Sequence, residues 1–443
     1  MVRFWIMRDS KWRRALGFGA VPVTLGVLSL LSACGSDGAT GAGAGTSGTS
    51  NAQSGSGAVE ASGASSGGQS GSGTAVTGTA GDVGTAGAVG AAGAAGETAA
   101  GNPDGKCSAG VPASGQPADT SSPTTVVGTG SQASCSFDAL KSAVSQGGVI
   151  TFDCGPVPVT LAVTATLNLP TNKNTVIDGG NKVTLDGGKA VQILRFDSAN
   201  FQANESVLTL QHIALRNGKA TPTEAIPVAP APCSQGWNDG EGGALYMRDG
   251  NLIVIDAIFA DNVAAPLGPD TGGGAIYILG SKHGAVIVGS TFKDNSASNG
   301  GGVAGLFSSL AIYNSLFTGN QATGHDANNN EPDKCSVMNN GQNETGSGGN
   351  GGPIYSDGNS VDVTLCGDRI TNNSAGVKGF GGGLFFTSNN MMGVLTITDT
   401  TITGNTGGSW TNVSTGSVKN VGTAIGVNAK SISVTSSTLQ GYP

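Results

Sequence analysis

Two short loops carry the residue types on which chemistry could be built. The first, "PCSQGWNDGEGG" at positions 232 to 243, sets Trp237 close to the carboxylates Asp239 and Glu241. An indole can stack on the apolar face of a sugar, and paired carboxylates can bind its hydroxyls or act as general acid and base. A tryptophan that only covers the flank of the fold is the competing reading. The second, "HDANNNEPDKC" at 325 to 335, offers the hard oxygen ligands Asp326, Asn328, Asn330 and Asp333. It begins as a calcium loop does, yet Glu331 stands where an EF-hand needs glycine and Val337 where it needs the closing glutamate. Calcium and a solvated polar loop are therefore both open, and no other cofactor is expected.

The charge balance narrows the partners. The chain has a formal net charge of -8 and no lysine or arginine run beyond its extreme N-terminus. A nucleic acid is excluded as the main partner, because there is no basic patch from which phosphate binding could release counterions. Arginine after the first 34 residues is confined to Arg195, Arg216, Arg248 and Arg369.

At the N-terminus, Arg3, Arg8, Lys11, Arg13 and Arg14 precede an apolar run that ends in "LSAC" at residues 31 to 34. This resembles a bacterial lipoprotein signal, which implies that Cys34 becomes the lipidated first residue and that a membrane is a partner. The Arg13–Arg14 pair also resembles a twin-arginine export signal. An uncleaved apolar anchor is the alternative, and the run is short for a membrane span. From residue 35 onward glycine, alanine, serine and threonine dominate. Such a segment cannot offset its own ordering entropy and is expected to be a disordered tether, placed over 35–130. About 70 residues of such coil have an end-to-end distance on the order of 45 Å.

What positions the two loops is a repeat. Counting back from a closing asparagine, positions ten, eight and three hold Leu252, Val254 and Phe259 before Asn262, then Ala285, Ile287 and Phe292 before Asn295. The pattern recurs before Asn320, Asn373 and Asn405, and in altered form before Gly218 and Tyr442. Apolar positions two apart have the period of a strand. A glycine-led strand precedes many copies: "GGALY" at 242, "GGAIY" at 273, "GGPIY" at 351 and "GGLFF" at 382. One copy cannot bury its apolar face alone, so stacking into a right-handed parallel β-helix over 131–443 is the expected all-β fold. The asparagines Asn262, Asn295, Asn320, Asn373 and Asn405 should form a hydrogen-bonded ladder, since an amide both donates and accepts. "SFDALKSAVSQGG" at 136 to 148 is expected to be an N-terminal capping helix with Ser136 at its start.

The motifs "GGAL" and "GGAI", with "FADN", "FKDN" and "FTGN", resemble the polymorphic outer membrane protein repeats, and residues 131 to 443 resemble the pectin lyase-like superfamily. The first resemblance implies surface display and, in some members, adhesion. The second raises polysaccharide cleavage, for which an arginine base beside calcium carboxylates or a cluster of aspartates is needed. The hydrolases' Asp-Asp pair and Arg-x-Lys motif are absent.

Six cysteines remain after Cys34: Cys107, Cys135, Cys154, Cys233, Cys335 and Cys366. Disulfides are expected in an exported chain, with Cys135 to Cys154 the preferred pair and Cys233 to Cys335 a further option. The column Tyr246, Tyr277, Tyr355 and Phe386 is expected to face outward, as either a glycan platform or a stabilising stack. The leading expectation is an exported, lipid-anchored, non-catalytic protein at the outer membrane or cell surface, binding polysaccharide or contacting cells. A polysaccharide lyase or glycoside hydrolase, and a structural surface-layer role, are the alternatives.

Overall fold

In the computed structural model, residues 100–224, 239–325, 327, 348–407, 419–421 and 424–440 are described. They form stacked parallel sheets, one of 17 strands and one of nine, with a further two-stranded pair. The arrangement is that of a parallel β-solenoid. All the strand pairings are parallel except Lys419–Val421 against Ile425–Asn428.

One coil shows the construction. Leu245–Arg248 runs in the smaller sheet, Asn251–Ile255 and Ile258–Ala260 in the larger. The next coil repeats the order with Ile276–Leu279, Ala285–Val288 and Thr291–Lys293, in register residue for residue. Stacked identical positions place like side chains in line. Phe259, Phe292 and Phe317 stack with centroids 4.9 and 4.6 Å apart and rings parallel within 4°.

Between the two strands of the larger sheet the backbone bends through one left-handed residue per coil: His212, Asp256, Gly289, Asn314, Gly367 and Asp399. Glycine, asparagine and aspartate tolerate this conformation best, which accounts for the polar or small residue at that position in every repeat.

The asparagine ladder runs through the stack. Asn262 donates from N and Nδ2 to Asn295 Oδ1, and the same pair of bonds, 2.9 to 3.2 Å long, links Asn295 to Asn320, Asn320 to Asn373 and Asn373 to Asn405. Gly218 N starts it on Asn262 Oδ1, and Gln440 Oε1 ends it on Asn405 N. A second ladder lies five residues before each asparagine. Ser290 N donates to Ser315 Oγ, Ser315 N to Asp368 Oδ1, Asp368 N to Thr400 Oγ1 and Thr400 N to Ser437 Oγ.

Helix α1 spans Phe137–Gln146, with Ser136 Oγ accepting from Ala139 N and Gly147 ending it at φ 66°. Its buried face, Leu140, Ala143 and Val144, packs on Thr125–Val127 and Leu167–Asn168. Among the described residues two disulfides are present, Cys135–Cys154 and Cys107–Cys366. Cys233 and Cys335 lie outside the described residues.

Three expectations are corrected. The tether does not extend to residue 130: Thr125–Val127 is a strand paired in parallel with Gly148–Phe152, and residues 101–120 lie against the coils, fastened by Cys107. Composition misled because this stretch buries almost no apolar side chain and holds on through polar groups. The glycine-led strand at 382 is shifted by one residue from the expected alignment: Tyr355 pairs with Phe385, not Phe386, and Leu384 takes the core position. A further copy, Val303–Leu306 after Gly300, goes unrecognised in the sequence because Ala304 stands in the aromatic column and Gly305 at a core position.

Candidate functional site

The outer face of the smaller sheet is not an open platform. Tyr277 and Tyr355 have no exposed surface and Tyr246 is 7% exposed. The aromatic column, with Phe385 in place of Phe386, lies beneath neighbouring loops: Tyr277 Oη donates to Asp270 O at 3.0 Å, and Tyr355 Oη to Asp357 Oδ2 at 2.9 Å. Burial pushes the Asp357 carboxyl up to about 6 despite hydrogen bonds from Tyr355, Asn389 and Gly358. Tyr277 and Tyr355 are therefore structural, because these buried hydroxyls satisfy groups of the fold and reach no solvent.

Tyr246 borders a cavity of about 680 Å³. Its walls include Arg195, Tyr246 and Arg248 on adjacent strands of the smaller sheet, Lys219 to Thr221 and Thr223 after a strand of the larger one, Asp239 to Glu241 on the incoming loop, and the turn Ala190 to Gln192. Strand pairing sets the first group, since Arg195 is in register with Tyr246 and Asp197 with Arg248. The Arg195 guanidinium sits 4.2 Å over the Tyr246 ring. Arg195 Nη2 lies 2.7 Å from Asp197 Oδ2, and Arg248 Nη1 lies 3.6 Å from Asp197 Oδ1. One carboxylate thus holds two guanidinium groups side by side. Arg248 Nη2 donates to Ala199 O at 2.9 Å, and its Nε is buried with no acceptor. Burial raises the Tyr246 hydroxyl well above the usual phenol range, and the charges of Glu241 and Asp197 add to this against Arg195 and Arg248. Tyr246 is therefore a protonated donor at any ordinary pH.

The two carboxylates of the incoming loop are occupied differently. Asp239 Oδ2 accepts from Thr223 N, Thr223 Oγ1 and Glu224 N at 2.8 to 2.9 Å, so it staples one wall of the cavity to another. Glu241 is buried, and its backbone carbonyl accepts from Gln192 Nε2 at 2.8 Å. Trp237, the third member of that sequence motif, lies outside the described residues, as do Asp326, Asn328, Asn330 and Asp333. Among the described residues no three histidines, cysteines or carboxylates gather to hold a metal ion.

A second titratable group is Asp178, His212 and Asp256 at the bend column. His212 Nδ1 is 3.1 Å from Asp178 Oδ1 and Nε2 is 3.8 Å from Asp256 Oδ2. Burial works against the Asp178 charge, but hydrogen bonds from Gln211, Gly180 and His212 outweigh it and hold the carboxyl below its ordinary range. Thr120 Oγ1 also donates to Asp178, so the cluster ties residues near 120 to the coils.

The arginine pair over Tyr246 escaped sequence reasoning, because Arg195 and Arg248 are 53 residues apart and meet only through parallel pairing. Compared with known protein families, with curated proteins and with solved structures, the chain matches none. Among the described residues no helix is long and apolar enough to cross a membrane.

Proposed function

We propose that this is an exported lipoprotein anchored through Cys34, on the outer membrane or cell surface. Residues 35–99 form its tether, and the folded part is a right-handed pectin lyase-like β-helix with repeats akin to those of polymorphic outer membrane proteins. Helix α1 covers its first coil, shielding a strand edge that would otherwise template association. Its function is non-catalytic binding of polysaccharide through the cavity at Arg195, Tyr246 and Arg248.

The observation that carries this reading is Arg248. Its Nε is a buried donor without an acceptor, on a residue that lines the cavity beside a second guanidinium. Buried polar groups are rarely left unpaired, and a sugar hydroxyl or carboxylate oxygen would satisfy it. The test is retention of the full chain on an array of pectins, alginate and glycosaminoglycans, with assays for unsaturated products and new reducing ends. Retention without cleavage, lost in Arg248→Ala, supports the reading. Turnover that disappears in Glu241→Gln replaces it with a polysaccharide lyase or glycoside hydrolase.

A further inference from the structure

Residues 100–120 lie along the bend column of the larger sheet. Only Gly101 and Gly115 among them are buried, so the segment brings no apolar core of its own. It is held by hydrogen bonds, and around Gly115 its turn Ala113–Gly115 also packs on Asn251–Ile255 and Ala285–Val288, beside Val286 and Val288. Gly101 N donates to Thr291 Oγ1, Asn102 N to Asn314 O, Asn102 Nδ2 to Gly367 O, Cys107 N to Asn314 Oδ1 and Ser108 N to Asp399 Oδ2. A turn closed by Gly110 N on Cys107 O sends the chain back, and Ala118 N reaches Gln211 Oε1 five coils away from Asp399. A single covalent bond, Cys107–Cys366, fastens the far end.

The two disulfides differ in access. Cys135 and Cys154 are both buried, whereas Cys107 is half-exposed above a buried Cys366. A thiolate from solvent therefore meets Cys107 Sγ first, and access is what selects between otherwise similar bonds.

We propose that Cys107–Cys366 is a redox latch: opening it frees residues 100–117 from the flank while the coils beneath stay folded. The reductant is an external dithiol. Its thiolate attacks Cys107 Sγ, the sulfur–sulfur bond breaks, and Cys366 leaves as a thiolate that takes a proton. The second thiol of the reagent then displaces Cys107 as a thiol, and the reagent departs as a disulfide. The polar groups uncovered, Thr291 Oγ1, Asn314 O and Oδ1, Gly367 O and Asp399 Oδ2, are all acceptors that water can serve, so release orphans none of them; the apolar cost is confined to the surface of Val286 and Val288 beneath Gly115. Freed and extended, 18 residues span up to about 60 Å. Where the preceding chain is a membrane tether, this lengthens its reach, but the latch itself does not depend on that reading.

The test is amide hydrogen exchange on the full chain, before and after dithiothreitol, with alkylation mapped to each cysteine. The amides of Asn102, Cys107 and Ser108 should exchange at least ten-fold faster after reduction, and trypsin should now cut after Lys106. The ladder amides of Asn295, Asn320 and Asn373 should remain protected, exchanging at least a hundred-fold more slowly than the 102–108 amides even after reduction, and Cys107 and Cys366 should alkylate before Cys135 and Cys154. Cys107→Ser should give the released pattern without reductant. The proposal fails if the residue 102–108 amides stay slow once the bond is open, if the ladder amides lose their protection together with them, or if Cys135–Cys154 opens first.

Discussion

The carboxylate of Asp294 folds over Gly319 in the following coil and fills the space that a β-carbon there would need. Asp256 covers Gly289 and Asn314 covers Gly367 in the same way. At these three places in the left-handed columns the Asx side chain occupies the space that a β-carbon would need one coil on, and glycine stands there. Gly319→Ala should cost about 1–2 kcal/mol for the backbone at φ +70°, with a further cost for displacing Asp294. Adding Asp294→Ala should recover the second part. Thermal unfolding of the two single variants and the double variant measures the coupling.

The ladder makes a larger prediction. In Asn320→Ala, the N and Nδ2 donors of Asn295 and the carbonyl of Phe292 lose a partner inside the core, while Asn373 Oδ1 keeps only the bond from Asn320 N. Each buried orphan costs about 1–3 kcal/mol, so a loss of roughly 4 kcal/mol or more is expected in denaturant titration. A loss below about 1 kcal/mol would mean that water replaces the amide.

Phe292 lies between two parallel rings, and Phe292→Ala should cost about 3–5 kcal/mol. Phe292→Leu should cost less than half as much, because it keeps most of the buried volume. Chemical denaturation of both variants checks the ratio.

Stability should also depend on pH through Asp368. Burial drives this carboxyl up to about 8, against hydrogen bonds from the Ser315 and Cys366 amides. The folded protein then holds a proton that the unfolded chain, with an ordinary aspartate, has already lost. The group's contribution is fully present below about pH 4, declines as pH rises, and is gone above about pH 8. Asp368→Ser places a hydroxyl where Ser290, Ser315 and Thr400 already have one. Its melting temperature should fall less between pH 5 and pH 8 than that of the unaltered protein; parallel curves would rule the assignment out.

At the cavity, Arg195→Ala and Arg248→Ala should each weaken glycan retention about ten-fold or more, since a hydrogen bond to a charged group contributes roughly 1.5–3 kcal/mol. Tyr277→Phe should leave retention unchanged, because that hydroxyl is spent on Asp270. Equilibrium binding on the array separates the two outcomes.

The coil was legible because its signal is local and repeated: Leu252, Val254, Phe259 and Asn262 recur at fixed spacing, and register turns that spacing into contact. The second ladder had the same signal at a constant five residues before each asparagine, but Ser290, Asp368 and Thr400 differ in type and conceal their common role as acceptors. Arg195 and Arg248 had no local signal at all. Residues 101–120 were misread for the opposite reason: they bind through backbone and side-chain polar groups, which hydropathy does not register. The outer tyrosines were read correctly as facing away from the core, but sequence carries no sign of the loops that cover them.

The bond from Cys107 to Cys366 joins residues 259 apart in sequence. It encloses most of the repeat array in one covalent ring, which by loop entropy is worth up to about 5 kcal/mol. A solenoid ordinarily peels from its ends, one turn at a time. With its leading segment welded to a late turn, melting of the early ones gains far less freedom, so the ringed portion should come apart as a unit while the turns after residue 366 remain free to unravel alone.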